Sequence, residues 1–233
     1  MTMRILVIGD GRMGQAIATL AGERGHRLVA ILGAAGNRDG AGIAARAAES
    51  DVAIEFTEPS SASANVACCV AAGLPVVSGT TGWYDALPAI EADVVRREGA
   101  LFWAPNFSLG VALAVELAQR MGAAFARHEQ FDARLVETHH VGKLDAPSGT
   151  ALAMGHAAAA RLGREIPITS VRVGHVPGTH TLIFDGPFEQ VTLTHDARDR
   201  RVFAEGALRA AEWLVGRRGV FTMHDLVHAP EGA

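Results

Sequence analysis

Apolar residues fall in two rhythms along this chain. Up to residue 107, short unbroken apolar runs alternate with stretches in which apolar positions recur every three to four residues. Ile5–Ile8 is such a run; helical spacing follows over Met13–Glu23, and a second run comes at Leu28–Leu32. The alternation repeats more loosely, with a strand over 51–56, a helix over 61–73, a strand and turn over 74–81, a helix over 85–99 and a strand and turn over 100–107. Strands that are apolar throughout suit a parallel sheet covered on both faces. The pattern predicts a doubly wound α/β unit of about five strands. After Phe107 the rhythm changes. A long amphipathic helix (108–128) precedes strands in FDARLVETHH, ITSVRVGHV, THTLIF and EQVTLTHDA, with a single helix at about 149–162 among them, and helical spacing returns from Val202. Strands grouped in this way predict a second, α+β domain with an open mixed sheet. The expected boundaries are 1–106 and 107–207, with 208–233 rejoining the first domain and the closing APEGA disordered.

Composition narrows the class without changing that picture. A chain of 233 residues can bury a sizeable core. Aromatic residues are only 6% while glycine and alanine abound, so helices can lie close to a sheet. The formal net charge is −4 and lysines and arginines form no block, which argues against a nucleic-acid partner or a polybasic membrane anchor. The doubled arginines at 96–97, 200–201 and 217–218 read as solvated or locally paired. No stretch reaches the roughly 18–20 apolar residues of a membrane span, and the first residues lack a signal-peptide pattern. Cys68 and Cys69 are adjacent in a hydrophobic stretch, which favours buried packing over a disulfide. A reduced, cytoplasmic protein is expected.

Gly9-Asp10-Gly11-Arg12-Met13-Gly14 fits G-x-G-x-x-G between the first strand and the first helix. In that place Gly9 permits the tight turn, Gly11 admits a pyrophosphate to the backbone, and Gly14 lets helix and strand pack closely. The helix start supplies N–H groups to the anion. The fold class expected is therefore Rossmann-like, with a glycine turn lacking any ligand as the alternative. An acid that would bind the ribose of NAD belongs at the end of the second strand, but that position reads Gly33. Arg12 and Arg38 could face a 2′-phosphate or simply be solvated. NADPH or NADH is expected, with a lean to NADPH.

VETHHVGKLDAPSGTALAMG (136–155) concentrates ionisable groups at one chain reversal. On a strand His139 and His140 point to opposite faces, so they cannot easily share a metal. Lys143 could grip an anion, and Ser148-Gly149-Thr150 brings hydroxyls and N–H groups to a probable helix start. A histidine satisfied inside the core and a hydroxyl serving only as a helix cap are the plain alternatives. Together the residues read as a pocket for a small carboxylated molecule, with no metal. His128, His139, His140, His175, His180 and His195 form no H-x-x-x-H arrangement, which weighs against a zinc hydrolase.

ETHHVGKLDAPSGTA resembles the H-H-x-x-K-x-D-A-P-S-G-T-A signature of the dihydrodipicolinate reductase (4-hydroxy-tetrahydrodipicolinate reductase) family. The blocks GRMG (11–14), 55–83, APNFSLGV (104–111), GTHTLIF, THDARDRRVFAEGALRAAEWL and GVFTMHDL are similar to that family's others, in the same order. The glycine turn is one residue shorter than the family's usual form, and Gly142 stands where longer forms have a larger or basic residue. The resemblance implies reduction of a cyclic dicarboxylated imine by NAD(P)H in lysine and diaminopimelate synthesis, and a homotetramer. It implies His139 as proton donor and Lys143 as a second donor, with His140, Gly149 and Thr150 on substrate. It places Gly9 to Gly14, Gly79-Thr80-Thr81 and Ala104-Pro105-Asn106-Phe107 on the cofactor. Rivals are a reductase of another small acid and a non-catalytic dinucleotide sensor. The first has no need of the full histidine–lysine signature, the second none of His139 and Lys143 beside an anion pocket.

Overall fold

The computed structural model describes residues 2–230; residues 231–233 of the closing segment lie outside the described residues. The chain divides into two compact units, Met1–Ser108 with Arg201–Ala233, and Leu109–Arg200.

In the first unit β1 (Arg4–Ile8), β2 (Arg27–Leu32), β3 (Val52–Glu55), β4 (Val76–Ser78), β5 (Ala100–Trp103) and β10 (Gly219–Phe221) form one parallel sheet, in the order β10-β5-β4-β3-β1-β2. The apolar runs are covered on both faces as their unbroken pattern requires: Ile5, Leu6, Val7 and Ile8 are each 1% exposed or less. Helices α1 (Arg12–Glu23), α3 (Pro59–Ala71), α4 (Leu87–Arg96) and α7 (Arg201–Leu214) flank the sheet. A core of Leu6, Ile8, Ala53, Val76 and Leu101 closes against Val66, Cys69, Ile90 and Val94 from α3 and α4. Burial pushes the Cys69 thiol pKa well up, so it packs as an apolar group.

Two elements depart from the expected pattern. The sheet has six strands, because three-residue β10 adds to β5 at its edge; a strand that short carries no readable period. The glycine- and alanine-rich segment after β2 folds into 3-10 turns and the short helix α2 (Ala41–Arg46), of which only Ile43 is buried. Asn37 fixes it, accepting from the Ile43 N–H (3.1 Å) and donating to Asn65 Oδ1 (2.8 Å). The division falls at 200/201 because Ala204 and Ala207, in the first turns of α7, are already fully buried. α7 lies on β3, β4 and β5, and small residues let it come close: a Cβ on Gly206 would stand 1.7 Å from the Phe107 carbonyl oxygen. The short helix α8 (Met223–Val227) follows β10, started by a Thr222–Asp225 capping box.

The second unit holds α5 (Leu109–Phe125), β6 (Asp132–His139), α6 (Gly149–Leu162), β7 (Ile168–Arg172), β8 (Thr179–Asp185) and β9 (Gln190–Asp196). The sheet order is β7-β6-β8-β9, with β6–β7 parallel and the other two pairings antiparallel. α5 and α6 cross on small residues, where a Cβ on Gly122 would meet the Ala158 carbonyl oxygen at 2.2 Å. The two helices cover one sheet face through Ala118, Met154, Ala158, Leu135, Leu182 and Phe184.

Candidate functional site

In the second unit, cross-strand neighbours on the covered sheet face run in rows. Ile168, Leu135, Leu182 and Leu193 make one row and belong to the core. Two residues along each strand, the next row reads Ser170, Glu137, His180 and His195. A period of two keeps both rows on one face, so the sequence turns a core face into an ionisable one within a single step. Beyond it, His139 on β6 is paired with Arg172 on β7.

Glu137 is 0% exposed and is held from two sides. Arg172 forks onto it, with Nη1 donating to Oε2 (3.0 Å) and Nη2 to Oε1 (2.8 Å). The Nδ1 of His139 hydrogen-bonds to Oε2. Burial pushes the Glu137 carboxyl pKa up, but Arg172, Ser170 and His139 outweigh it and hold it at about 2. An ionised carboxylate only accepts, so Nδ1 is the donor and Nε2 is the open end of the ring. Gly178 keeps that end clear, since a Cβ there would stand 2.8 Å from Nε2. Burial lowers the His139 pKa below the ordinary histidine value; Glu137 opposes this, and the Lys143 and Arg172 charges add to it.

His180 lies edge-on to His139, ring centroids 5.1 Å apart. Burial, then the neighbouring His139 and His195, pushes its pKa down to about 4. At neutral pH it is therefore uncharged, and of this facing pair His139 is the ring that can take up a proton. His180 Nε2 meets Ser148 Oγ at 3.0 Å, while Ser148 caps α6 by accepting from the Ala151 N–H at 3.2 Å. Gly149 opens the helix and its N–H donates no hydrogen bond among the described residues. The connecting loop, which contains a cis Ala146–Pro147 bond, is tied down by Arg172 Nη2 to the Asp145 carbonyl (2.6 Å) and by an ion pair of Lys143 with Asp145 (2.8 Å). The structure thus gathers His139, Lys143, Ser148 and Gly149, with Thr150 in the same first turn, around Glu137, Arg172 and His180. His140, just past the end of β6, is half-buried.

In the first unit, the residues expected on a cofactor sit where β1, β4 and β5 end. The sheet order reverses between β1 and β3, and the crevice beyond such a reversal is where open α/β sheets take ligands. Gly9 and Gly14 interlock: a Cβ on Gly14 would meet the Gly9 carbonyl oxygen at 1.9 Å, and one on Gly9 the Phe56 carbonyl oxygen at 2.0 Å. A Cβ on Gly11 would meet nothing within 4 Å, and no side chain caps the first turn of α1. Open backbone beside uncapped N–H groups fits a pyrophosphate. Arg12 and Arg38 are exposed, and Asp10 stands over Gly33.

Two residues join the loops of this crevice. Glu55, 0% exposed, accepts from Ser78 Oγ (2.6 Å), Thr80 Oγ1 (2.9 Å) and the Thr57 N–H (3.0 Å), tying the loop after β3 to the one after β4. The ring of Phe56 lies on Gly79, where a Cβ would meet it at 2.1 Å, and tilts against Phe107 with centroids 5.6 Å apart. Thr80 is buried and Thr81 exposed; Ala104 bonds back to the Ser78 carbonyl (3.3 Å), Pro105 is exposed, and Asn106 Oδ1 accepts from the Ser108 N–H (2.8 Å).

Sequence reasoning missed Glu55, Glu137, Arg172 and the contact of His180 with Ser148. Glu137 was within reach, since positions 137 and 139 share a strand face; the others needed the strand register.

A doubly wound sheet with a glycine turn, in a chain whose other unit carries a carboxylate-held histidine, is an arrangement found among dinucleotide-binding oxidoreductases. Comparison with known proteins gives the kind. A family model described as "Dihydrodipicolinate reductase, N-terminus" matches residues 3–107 and one described as "Dihydrodipicolinate reductase, C-terminus" matches residues 110–227. The 4-hydroxy-tetrahydrodipicolinate reductase of Acidiphilium cryptum (strain JF-5) is 43% identical, covering 97% of each chain. That of Xanthomonas euvesicatoria pv. vesicatoria (strain 85-10) is 40% identical, covering 97% of this chain and 98% of the relative. A solved dipicolinate-bound dihydrodipicolinate reductase from Paenisporosarcina sp. TG-14 shares the fold, with a TM-score of 0.80 at 24% identity over 95% of this chain and 98% of that one. The chain belongs to the dihydrodipicolinate reductase family, and its activity is the NAD(P)H-dependent reduction of 4-hydroxy-tetrahydrodipicolinate in lysine and diaminopimelate synthesis.

Proposed function

We propose that His139 and Lys143 are the catalytic pair of this reductase and that Ser148, Gly149, Thr150 and His140 hold the dicarboxylated cyclic imine. The observation that carries this is the Arg172–Glu137–His139 chain, which fixes one ring nitrogen and leaves Nε2 open. Loss of the 4-hydroxyl as water gives a conjugated imine. The nicotinamide cofactor, when bound, supplies the hydride that adds to this system. The electron pair displaced by hydride moves along the conjugated bonds, and the neighbouring carbon takes a proton. His139 delivers that proton from Nε2 when doubly protonated, and Glu137 keeps the ring in line while balancing its charge. Lys143 leaves Asp145 to grip a carboxylate and to help the hydroxyl depart. The first turn of α6 receives a carboxylate on its N–H groups, and Ser148 adds a hydroxyl. The dipicolinate named for the Paenisporosarcina structure, a planar dicarboxylate, supports this class of ligand here.

The turn from Gly9 to Gly14, Gly79-Thr80-Thr81 and Ala104-Pro105-Asn106-Phe107, with Gly33 and Arg38 at the end of β2, form the cofactor site. A homotetramer is also proposed; the exposed Val171, on the sheet face opposite the helices, and Val173 just after it support an association face there. No helix among the described residues is long and apolar enough to cross a membrane, which agrees with a cytoplasmic location.

The test is enzymatically generated 4-hydroxy-tetrahydrodipicolinate supplied with NADH or NADPH, wild type beside His139→Gln. Turnover lost in the variant, with dinucleotide binding kept, supports His139 as the donor. Turnover within about threefold of wild type would overturn that role.

A further inference from the structure

Among Rossmann-like sheets, the acid that recognises the adenosine ribose comes from the end of the second strand. Here that position is Gly33, which has no side chain, yet the space is filled. A Cβ built on Gly33 would stand 2.2 Å from Asp10 Oδ2 and 2.7 Å from Asp10 Cγ. The carboxylate of the glycine turn is laid across the backbone at the end of β2. Gly33 is then glycine for a steric reason, since any side chain there would displace Asp10. The turn and the strand end are also joined directly, by the Gly9 N–H to the Leu32 carbonyl at 2.8 Å.

Among the described residues, the Asp10 side chain takes no hydrogen bond and no ion pair; only its backbone carbonyl has a partner, Gln15 Nε2 at 3.4 Å. It is exposed, so both oxygens can accept. Neither Arg12 nor Arg38, the two cations that favoured a 2′-phosphate from sequence, is paired with it.

We propose that Asp10 is the ribose-recognising acid of this enzyme, supplied from the glycine turn instead of the second strand, and that it makes NADH the preferred cofactor. This rests on the dinucleotide site proposed above. A carboxylate at this point accepts from the vicinal ribose hydroxyls of NADH. The same carboxylate faces the 2′-phosphate of NADPH as a like charge, and loses one hydroxyl donor to it. Arg12 and Arg38, both exposed and neither paired with Asp10, moderate that preference without reversing it.

Calorimetric titration of the full chain with NADH and with NADPH tests this without turnover, alongside competition by 5′-AMP and by adenosine 2′,5′-bisphosphate. Wild type is expected to bind NADH at least roughly tenfold more tightly, the worth of one hydrogen bond to a charged acceptor. Asp10→Ala and Asp10→Asn should lose roughly tenfold in NADH affinity, hold or gain NADPH affinity, and reverse the order of the two competitors. Their melting temperatures should match wild type, because the carboxylate makes no bond that the fold needs. NADPH preference in wild type, or an NADH-to-NADPH ratio unchanged in both variants, overturns the role of Asp10 and leaves the dinucleotide site standing. Failure of wild type to bind either dinucleotide overturns the site itself, and the role of Asp10 with it.

Discussion

Replacing Glu137 by glutamine tests the proton-delivery reading most directly. The amide is nearly isosteric and can still accept from His139 Nδ1, so ring orientation survives while the negative charge is lost. In the native site that charge favours the doubly protonated ring against burial and against the Lys143 and Arg172 cations. An opposite charge in direct contact moves a pKa by about 1–3 units, and the Arg172 fork, which already neutralises much of the Glu137 charge, argues for the lower part of that range. Taking about 1.5 units, or about 2 kcal/mol at 1.36 kcal/mol per unit, the protonated fraction of His139 at neutral pH falls roughly thirtyfold. The sign is definite. The native His139 pKa already lies below the ordinary value; on the proposed role protonated His139 is the active form, so kcat/KM should decline as pH rises through that pKa. In Glu137→Gln the declining limb moves to lower pH by the same 1–2 units, and kcat/KM at pH 7 falls by about 10- to 100-fold. Loss of charge balance for the partly buried Arg172 adds instability, about 2–3 kcal/mol, below the range for a fully buried pair because its head keeps the Asp145 carbonyl and reaches water. The assay is the kcat/KM–pH profile from about pH 5 to 9, with chemical denaturation at pH 7 as control. An unshifted profile in a folded variant would refute the claim that Glu137 acts by balancing charge on His139.

Two other expectations concern separate parts of the molecule. His180 is 3% exposed and its pKa is held at about 4, below its unfolded value, so the unfolded chain binds more protons between those pH values. Stability is fully present above about pH 6.5 and is lost as pH falls toward 4, by up to about 3 kcal/mol; denaturation of wild type and His180→Gln across that window should show a flatter slope in the variant. In the glycine turn, Gly11→Ala should leave the melting temperature within about 2 °C while weakening dinucleotide binding, because its Cβ meets nothing but the proposed pyrophosphate space. Gly14→Ala should lower both, since its Cβ meets the Gly9 carbonyl oxygen at 1.9 Å. Equal effects of the two alanines on fold and binding would contradict the pyrophosphate assignment.

The readable and unreadable parts of the chain divide along a physical line. β1, the glycine turn and α1 were legible because a buried run, a turn and an amphipathic helix are each local patterns. The strand series of the second unit was legible for the same reason. β10 was not, because three residues carry no period and its place depends on the free edge of β5. α2 was not, because it buries one side chain and is fixed by the distant Asn37–Asn65 pair. In the site, the histidines and Lys143 stood out by type, whereas Arg172 reaches Glu137 across 35 residues of sequence and only through the β6–β7 register. Asp10 shows the limit most plainly. The missing acid at the end of β2 was visible in sequence, but that a turn residue occupies its space is a fact of three dimensions.

Phe56 has a bearing on engineering. One aromatic residue touches the glycine turn through its carbonyl and the loops after β4 and β5 through its ring. Segments grafted singly from relatives into this crevice would therefore meet a partner shaped for a different set. Transplanting the three loops together with residue 56 exchanges a matched part, and cofactor preference can then be altered in this scaffold without loosening the sheet beneath it.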